Sequence, residues 1–452
     1  MKLQAVKGTF DILPEDQTRW HYLRDVAATV LGRAGVREIS TPIFEHHEVF
    51  VKSVGESSDL VVQKEMYTFE DAGGRRLTLR PEFTAGVMRA FIEHGMHTLP
   101  SPVKLWSTGP AFRAEKPQRG RFRQFHQVNC EFLGLDTPLI DAEAIAVLYR
   151  LLLACGIKNM QVQLGSVGDP EDRKAYNHYL RESLEPQQGQ LSDASRERLR
   201  LNPLRLLDSK DANDQALLEP LKRPLDFLND DAKQHFLQVA NYLEQWQIPF
   251  DINDSIVRGL DYYRRTAFEI HHAGIGAQAA LGGGGRYDGL IESMGGNKTP
   301  GIGWAFGIER VLDAMQQDAV SVPAAAGADV FLIPMDEAAI ADVANLAYQL
   351  RQHFHVEHAY VKRNPGKGLR DADRAGAVYA ALRGSQERQQ HSYQLKHLAS
   401  GEQTLVAEAD LVTFLEHHLP HQAGKHPPQQ ASSQQESSQQ DDQDTYAERG
   451  TP

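Results

Sequence analysis

The sequence predicts two folded parts. The larger is an α+β domain, residues 1–325, built on an antiparallel sheet of six or more strands flanked by helices and broken by a helical insertion at about 169–246. The smaller is an α/β domain, residues 326–420. Three observations carry this reading. Strand-like runs with period-two alternation occur both before and after a polar, helix-periodic block. A Pro/Ala/Gly segment, "VSVPAAAGA", separates those runs from a short stretch where strands alternate with helices, the mark of a parallel-rich α/β unit. The length, 452 residues, is enough for two or three domains.

The elements follow in order. From Asp16, the spacing of Trp20, Leu23, Val26, Ala27, Val30 and Leu31 is helical, and Gly35 is a stop signal. "VREISTPIFE" reads as a strand interrupted by Pro42, which belongs at an edge, a bulge or an interface. "EMYTFED" and "RRLTLRPE" flank "AGG" as a hairpin, and "PEFTAGVMRAFIEHG" continues as a helix. "VKLWSTGPAFRAEK" and "FRQFHQVNCEFLG" are strands around a basic loop. "DAEAIAVLYRLLLACG" is a helix that Gly156 ends. The insertion carries "DRKAYNHYLRESLEP", "DASRERLR" and "DDAKQHFLQVANYLEQW". Strand patterns return at "DINDSIVRGLDYYRRTAFEIHH", "AQAALGGGGRYDGL" and, before a closing helix, "GIGWAFGIERVLDAM". After the linker come strand "DVFLIP", a helix, strand "VEHAYV", a helix around Leu369–Ala375 and strand "AVYAAL". Residues 421–452 are Gln- and Ser-rich without periodicity and read as a disordered tail.

Composition excludes several classes. At 41% hydrophobic and 24% charged, the chain is of ordinary globular make-up. No run of eighteen apolar residues suggests a membrane span, and the N-terminus has no apolar signal region. Cys130 and Cys155 form no CxxC pair, so a reducing cytoplasm fits best. A net charge of −12 argues against a generic polyanion binder, so nucleic acid must meet a local patch. "FRAEKPQRGRFRQFHQ" offers one, or else a solvated basic face.

Chemistry-bearing residues form three groups. The first is Arg80, Glu82 and Thr84; the second is Arg113, Glu115, Arg121, Phe125, Gln127 and Glu131. The third joins "RGLDYYRRTAFEI" to "GGGGRYDGL" and Arg310. Arg121, Arg123, Phe125, Gln127, Asn129 and Glu131 share one strand face, either solvated or lining a cleft. Four glycines in a strand mark a bulge or a wall that a ligand or backbone approaches closely. "NPGKGL" and "GIGWAFG" do not complete a nucleotide loop, no HExxH is present, and no metal site is assigned. Many arginines without a nucleophile suit a reaction in which a substrate attacks phosphorus and the protein supplies position and charge.

These residues carry a resemblance. "FRAEKPQRGRFRQFHQ" resembles motif 2 of class II aminoacyl-tRNA synthetases, "GIGWAFGIER" motif 3, and "REISTPIFE" motif 1. "RGLDYY" and "GGGRYDGL" are similar to two segments peculiar to histidyl-tRNA synthetases, and "NPLRLLDSK" fits the same family. The resemblance spans about residues 3–418. It implies a histidine–tRNA ligase that uses ATP with Mg2+, acts on tRNA(His), and works as a cytoplasmic homodimer. It implies that Arg258 and Arg113 are catalytic at the reacting carboxylate and α-phosphate. Tyr263 and Glu131 would hold the imidazole of substrate histidine, and Glu82, Thr84, Gln127 and Tyr287 its amino-acid end. Glu115 would place the adenine, Phe125 would stack on it, Arg121 would reach the outer phosphates, and Arg310 would cover adenine and γ-phosphate. Lys116 and Gln118 would approach the tRNA acceptor end; a lysine at 116, where the family often has arginine, gives a point charge in place of a fork. The smaller domain would bind the anticodon. The alternative reading is a non-catalytic, histidine-binding regulatory relative. Such relatives usually lose the motif arginines, which are present here.

Overall fold

The computed structural model describes residues 3–54, 65–116, 120–256, 263–274, 280–324 and 326–419. The chain divides into two compact units, Met1–Ala324 and Ala325–Pro452. Arg258, Gln118 and the tail at 421–452 lie outside the described residues.

The first unit contains eleven described strands: β1 (Arg37–Glu38), β2 (Phe44–His46), β3 (Thr68–Glu70), β4 (Arg76–Leu79), β5 (Val103–Phe112), β6 (Gln124–Leu133), β7 (Met160–Ser166), β8 (Phe250–Ile252), β9 (Arg264–His272), β10 (Ala280–Arg286) and β11 (Gly301–Gly307). Eight form one sheet in the order β1-β5-β6-β11-β10-β9-β7-β8. The six inner strands are antiparallel throughout. The two edge strands pair in parallel, β1 with β5 and β8 with β7, so the whole sheet is mixed. Around Pro42 the chain leaves this sheet, and β2 joins β4 and β3 in a separate three-stranded sheet. A proline lacks the N–H that an unbroken ladder would need there.

Periodicity decides which face of the large sheet is oily. Along β6, Val128, Cys130 and Phe132 enter the main core, while Gln127, Asn129 and Glu131 point to the other side. The Pro138–Ala154 helix covers the oily face with Ile140, Ile145, Leu148, Leu151 and Leu152. Leu23, Ala27 and Leu31, spaced one turn apart on the Pro14–Arg33 helix, close the same core, as do Phe236, Val239 and Leu243 on the Asp230–Gln245 helix. The insertion builds a core of its own from Tyr176, Leu180, Leu184, Leu199, Leu204, Leu206 and Leu218. Within it, the buried Asp214 carboxylate accepts hydroxyl bonds from Ser192, Ser195 and Ser209.

A buried ionic knot ties the covering helices to the sheet. Asp141, fully buried, accepts from Arg286, from Thr266 Oγ1 at 2.6 Å and pairs with His235 Nε2 at 2.8 Å. Burial pushes the Asp141 carboxyl up, but the Arg286 and His235 partners outweigh it and hold the group below its ordinary range. Removing one member strands the other charges. Asp141→Ala is therefore expected to destabilise the first unit by about 3–5 kcal/mol, read by chemical denaturation. A loss under about 1 kcal/mol, the usual size for a surface pair, would contradict this.

The second unit holds a five-stranded sheet of β12 (Val330–Pro334), β13 (Val356–His358), β14 (Tyr379–Arg383), β15 (Ser392–His397) and β16 (Gln403–Ala407), in the order β13-β12-β14-β15-β16. The first three are parallel, joined by the Ala339–Leu350 and Pro365–Arg374 helices. β15 and β16 add an antiparallel hairpin that the sequence reading left out. Asn364 caps the Pro365–Arg374 helix through the Lys367 N–H.

Candidate active site

The polar face of β6 is buried where a polar face would usually be wet. Glu131 is fully inaccessible and Asn129 is 2% exposed. One Glu131 oxygen accepts from Thr84 Oγ1 at 2.7 Å and from Asn129 Nδ2 at 2.9 Å; the other accepts from the Tyr287 hydroxyl. Burial pushes the Glu131 carboxyl up to about 7, the three donors pulling it down and the nearby Glu82 pushing it further up. Glu82 in turn accepts the backbone N–H groups of Thr84 at 2.5 Å and Ala85 at 2.9 Å, satisfying the first turn of the Thr84–Glu93 helix. That helix start carries Thr84 to Glu131. Two residues before Asn129 on the same strand face, the Gln127 side-chain oxygen is buried and has no partner among the described residues, a place for a donor from a ligand.

The glycine-rich strands make room for these side chains. A Cβ at Gly303 of β11 would collide with the Glu131 carboxylate, and one at Gly285 of β10 would lie 2.8 Å from the Tyr263 ring. Both positions have a glycine so that a neighbouring side chain can lie on bare backbone. Tyr263 itself is 9% exposed, packed with Val167, Ile256 and Ala267. Just after it, the β9–β10 register shifts between Gly285 and Arg286, and Arg265 takes the left-handed conformation at φ 50°. Such backbone costs about 1–3 kcal/mol and needs support. Asp169 provides it: one carboxylate takes Arg265 Nε and Nη2, both at 2.9 Å, and Arg264 Nε at 2.8 Å. The register shift pairs Arg286 with Arg264, the residue that follows Tyr263.

Three arginines gather at the far end of the same sheet. Arg113 donates to Pro81 O at 3.1 Å and lies 5.1 Å over the Phe125 ring. Arg121 pairs with Glu115 at 3.1 Å, and Arg310 donates to Ala280 O at 3.0 Å. Burial pulls the Arg113 and Arg310 guanidinium groups below their ordinary value, and Arg121 repels both. Cations held this close in a partly desolvated place favour an anion with several oxygens. Lys116 is exposed beside them.

The structure thus joins Glu82, Thr84, Glu131 and Tyr287 in one cluster, with Gln127 on the same face of β6 and Tyr263 against Gly285 of β10, and gathers Arg113, Glu115, Arg121, Phe125 and Arg310 at the arginine end. Arg80 does different work: buried, it donates to Pro110 O and Thr41 O and lies 4.0 Å over Phe83, joining strands as a structural tie. Two contributors escaped a role in the sequence. Asn129 had only its place on the strand face as a signal. Glu309, beside Arg310, binds the backbone N–H of His126 at 2.9 Å and its ring Nδ1 at 3.0 Å, fastening the start of the closing helix between Phe125 and Gln127 on β6; no local pattern announces that contact.

A family model described as histidyl-tRNA synthetase matches residues 8–311, and one described as anticodon binding domain matches residues 329–418. The chain is 50% identical over 417 residues to the histidine–tRNA ligase of Thermus thermophilus, covering 92% of this chain and 99% of that one. It is 48% identical over 425 residues to the histidine–tRNA ligase of Deinococcus radiodurans, covering 91% and 99%. Among solved structures, apo S. aureus histidyl-tRNA synthetase superposes with a TM-score of 0.78 at 33% identity, covering 92% of this chain and 100% of that chain.

Proposed function

The chain belongs to the histidyl-tRNA synthetase family, and from that premise we infer that it is an ATP-dependent histidine–tRNA ligase. The observation that carries the reading is the pairing, on one sheet, of a buried acceptor carboxylate with a group of three mutually repelling guanidinium ions. A regulatory relative that only binds histidine would have no use for the second feature.

In the first step the histidine carboxylate attacks the α-phosphorus of ATP, forming histidyl-adenylate and releasing pyrophosphate. In the second a hydroxyl at the 3′ end of tRNA(His) attacks the adenylate carbonyl and AMP leaves. Glu131 accepts an imidazole N–H while Tyr263 meets the other ring nitrogen. An apolar analogue would leave both unpaired, which is the strongest form of selectivity a pocket can build. The Gln127 oxygen, which has no partner among the described residues, and the Glu82 carboxylate would grip the ammonium group. Thr84 and Tyr287 hold Glu131 while closing the amino-acid end.

Arg113 binds the α-phosphate with Arg258, Arg121 releases Glu115 to reach the outer phosphates, and Arg310 covers the γ-phosphate and adenine. Phe125 stacks on the base, with Glu115 beside it. Fixed cations stabilise charge that grows in the transition state. A magnesium ion carried mainly by the triphosphate would need few protein ligands. Lys116 and Gln118 belong to the loop that meets the acceptor end of the tRNA, and the second unit takes the anticodon.

A homodimer is supported by the small sheet that follows Pro42. There Ile43, Phe44 and Phe69 remain 44%, 52% and 43% exposed, an apolar cluster suited to burial against a second copy. A cytoplasmic site is supported by the two unpaired cysteines. Among the described residues, no helix is long and apolar enough to cross a membrane.

The deciding assay is exchange of labelled pyrophosphate into ATP. Exchange is expected only when histidine and magnesium are both present. Histidine binding without any exchange would favour the regulatory reading.

A further inference from the structure

We propose that Asn129 is a positioning residue that fixes the Glu131 carboxylate and thereby sets the selection of histidine; the inference rests on the role of Glu131 given above. Asn129 lies two residues before Glu131 on the same face of β6 and is almost wholly buried. Its amide has one orientation that satisfies every neighbour. The side-chain oxygen accepts from Ser107 Oγ at 3.4 Å on the adjacent β5, where Ser107 is its cross-strand partner. The NH2 group then points the other way, to Glu131 Oε1 at 2.9 Å and Thr84 Oγ1 at 3.3 Å.

These bonds close a triangle. Thr84 spends its only proton on Glu131 and accepts from Asn129; Asn129 donates to both. An ionised carboxylate has about four acceptor positions. Thr84 and Asn129 fill those of Oε1, and Tyr287 takes one on Oε2. The remaining position on Oε2 has no donor among the described residues. Asn129 thus directs an incoming imidazole N–H to Oε2, the oxygen that lies against the bare backbone of Gly303, where a side chain would collide with it. Among the described residues, the nearby charged Glu82 repels this carboxylate. The amide donor therefore opposes a repulsion as well as setting a direction.

The test compares Asn129→Ala, Asn129→Asp and Glu131→Gln with the unaltered protein in pyrophosphate exchange at pH 8.5, varying histidine and ATP separately. Asn129→Ala is expected to raise the KM for histidine about tenfold, the loss of one hydrogen bond to a charged group, and the KM for ATP less than about twofold. Asn129→Asp keeps the shape but turns an acceptor toward Glu131, so it is expected to be worse than alanine. A residue that only packs would give the reverse order, aspartate near the unaltered protein and alanine worst. That order, or equal rises in both KM values, overturns the proposal. Thermal melting of the aspartate variant checks that it folds. Should Glu131→Gln leave the histidine KM unchanged, the role of Glu131 fails. Should Glu131→Gln raise it while both Asn129 variants do not, only the role of Asn129 fails.

Discussion

Replacing Arg113 by alanine is expected to slow adenylate formation by about 10²–10³-fold, the typical loss when one fixed charge-stabilising donor is removed. Holding this guanidinium where it is carries a cost. Burial is the main force pulling its pKa down; the nearby acids Glu115, Glu65 and Glu82 offset part of that, and Arg121 adds repulsion. An α-phosphate would relieve the strain, and it would do so most when a fifth oxygen joins phosphorus and the charge on its oxygens rises. The position is fixed beforehand by the bond to Pro81 O and by the Phe125 ring beneath. The gain therefore appears in the rate and not chiefly in ground-state binding. Arg113→Lys restores the charge but not the planar fork or the Nε bond, so it should recover only part of the rate. Single-turnover formation of histidyl-adenylate at saturating ATP and histidine measures this. Wild-type rates in Arg113→Ala, or a defect cured by more ATP, would place the arginine outside the reacting centre.

How much of this was legible before any coordinates depends on the range of the signal. Local periodicity is written into the chain, so the Pro14–Arg33, Thr84–Glu93 and Pro138–Ala154 helices and five of the six inner antiparallel strands could be anticipated, β7 (Met160–Ser166) being the exception. The alternation on β6 even separated its oily face from its polar one. Pairing at the sheet edges was not legible: β1 is two residues and β8 three, too short to carry a pattern. The β15–β16 hairpin was missed because its alternation follows a parallel unit that already looked complete. Within the site, the motif residues could be named, whereas their electrostatics could not. Nothing in "VNCEF" says that Glu131 is wholly buried, because that burial is created by Thr84, Tyr287 and Gly303 from three distant segments. The left-handed Arg265 and its Asp169 support are likewise a contact across 96 positions.

That created burial makes Glu131→Gln the second large effect, and one with opposite signs in two measurements. Histidine affinity should fall by about 10–100-fold, since a hydrogen bond to a charged acceptor is worth roughly 1.5–3 kcal/mol, with the KM for ATP nearly unchanged. Folded stability should rise at pH 8. The sign follows from the direction of the shift: burial raises the Glu131 pKa to about 7, above the 4.5 of an unperturbed group. A raised carboxyl contributes fully below pH 4.5, and its contribution is lost as pH climbs through about 7. At roughly 1.4 kcal/mol per unit, the ionised group costs the fold on the order of 3 kcal/mol at pH 8. A neutral amide that keeps the Thr84 and Asn129 bonds avoids that cost, so the variant should gain stability at pH 8 and nothing at pH 4. In the unaltered protein, histidine affinity should weaken as pH falls below about 7 and the acceptor takes up its proton. In the variant only the substrate imidazole, near pKa 6.5, remains to titrate. Denaturation at the two pH values and histidine KM against pH supply the readings. A variant less stable at pH 8 than the unaltered protein would mean that the fold, and not the ligand, needs the charge at this position.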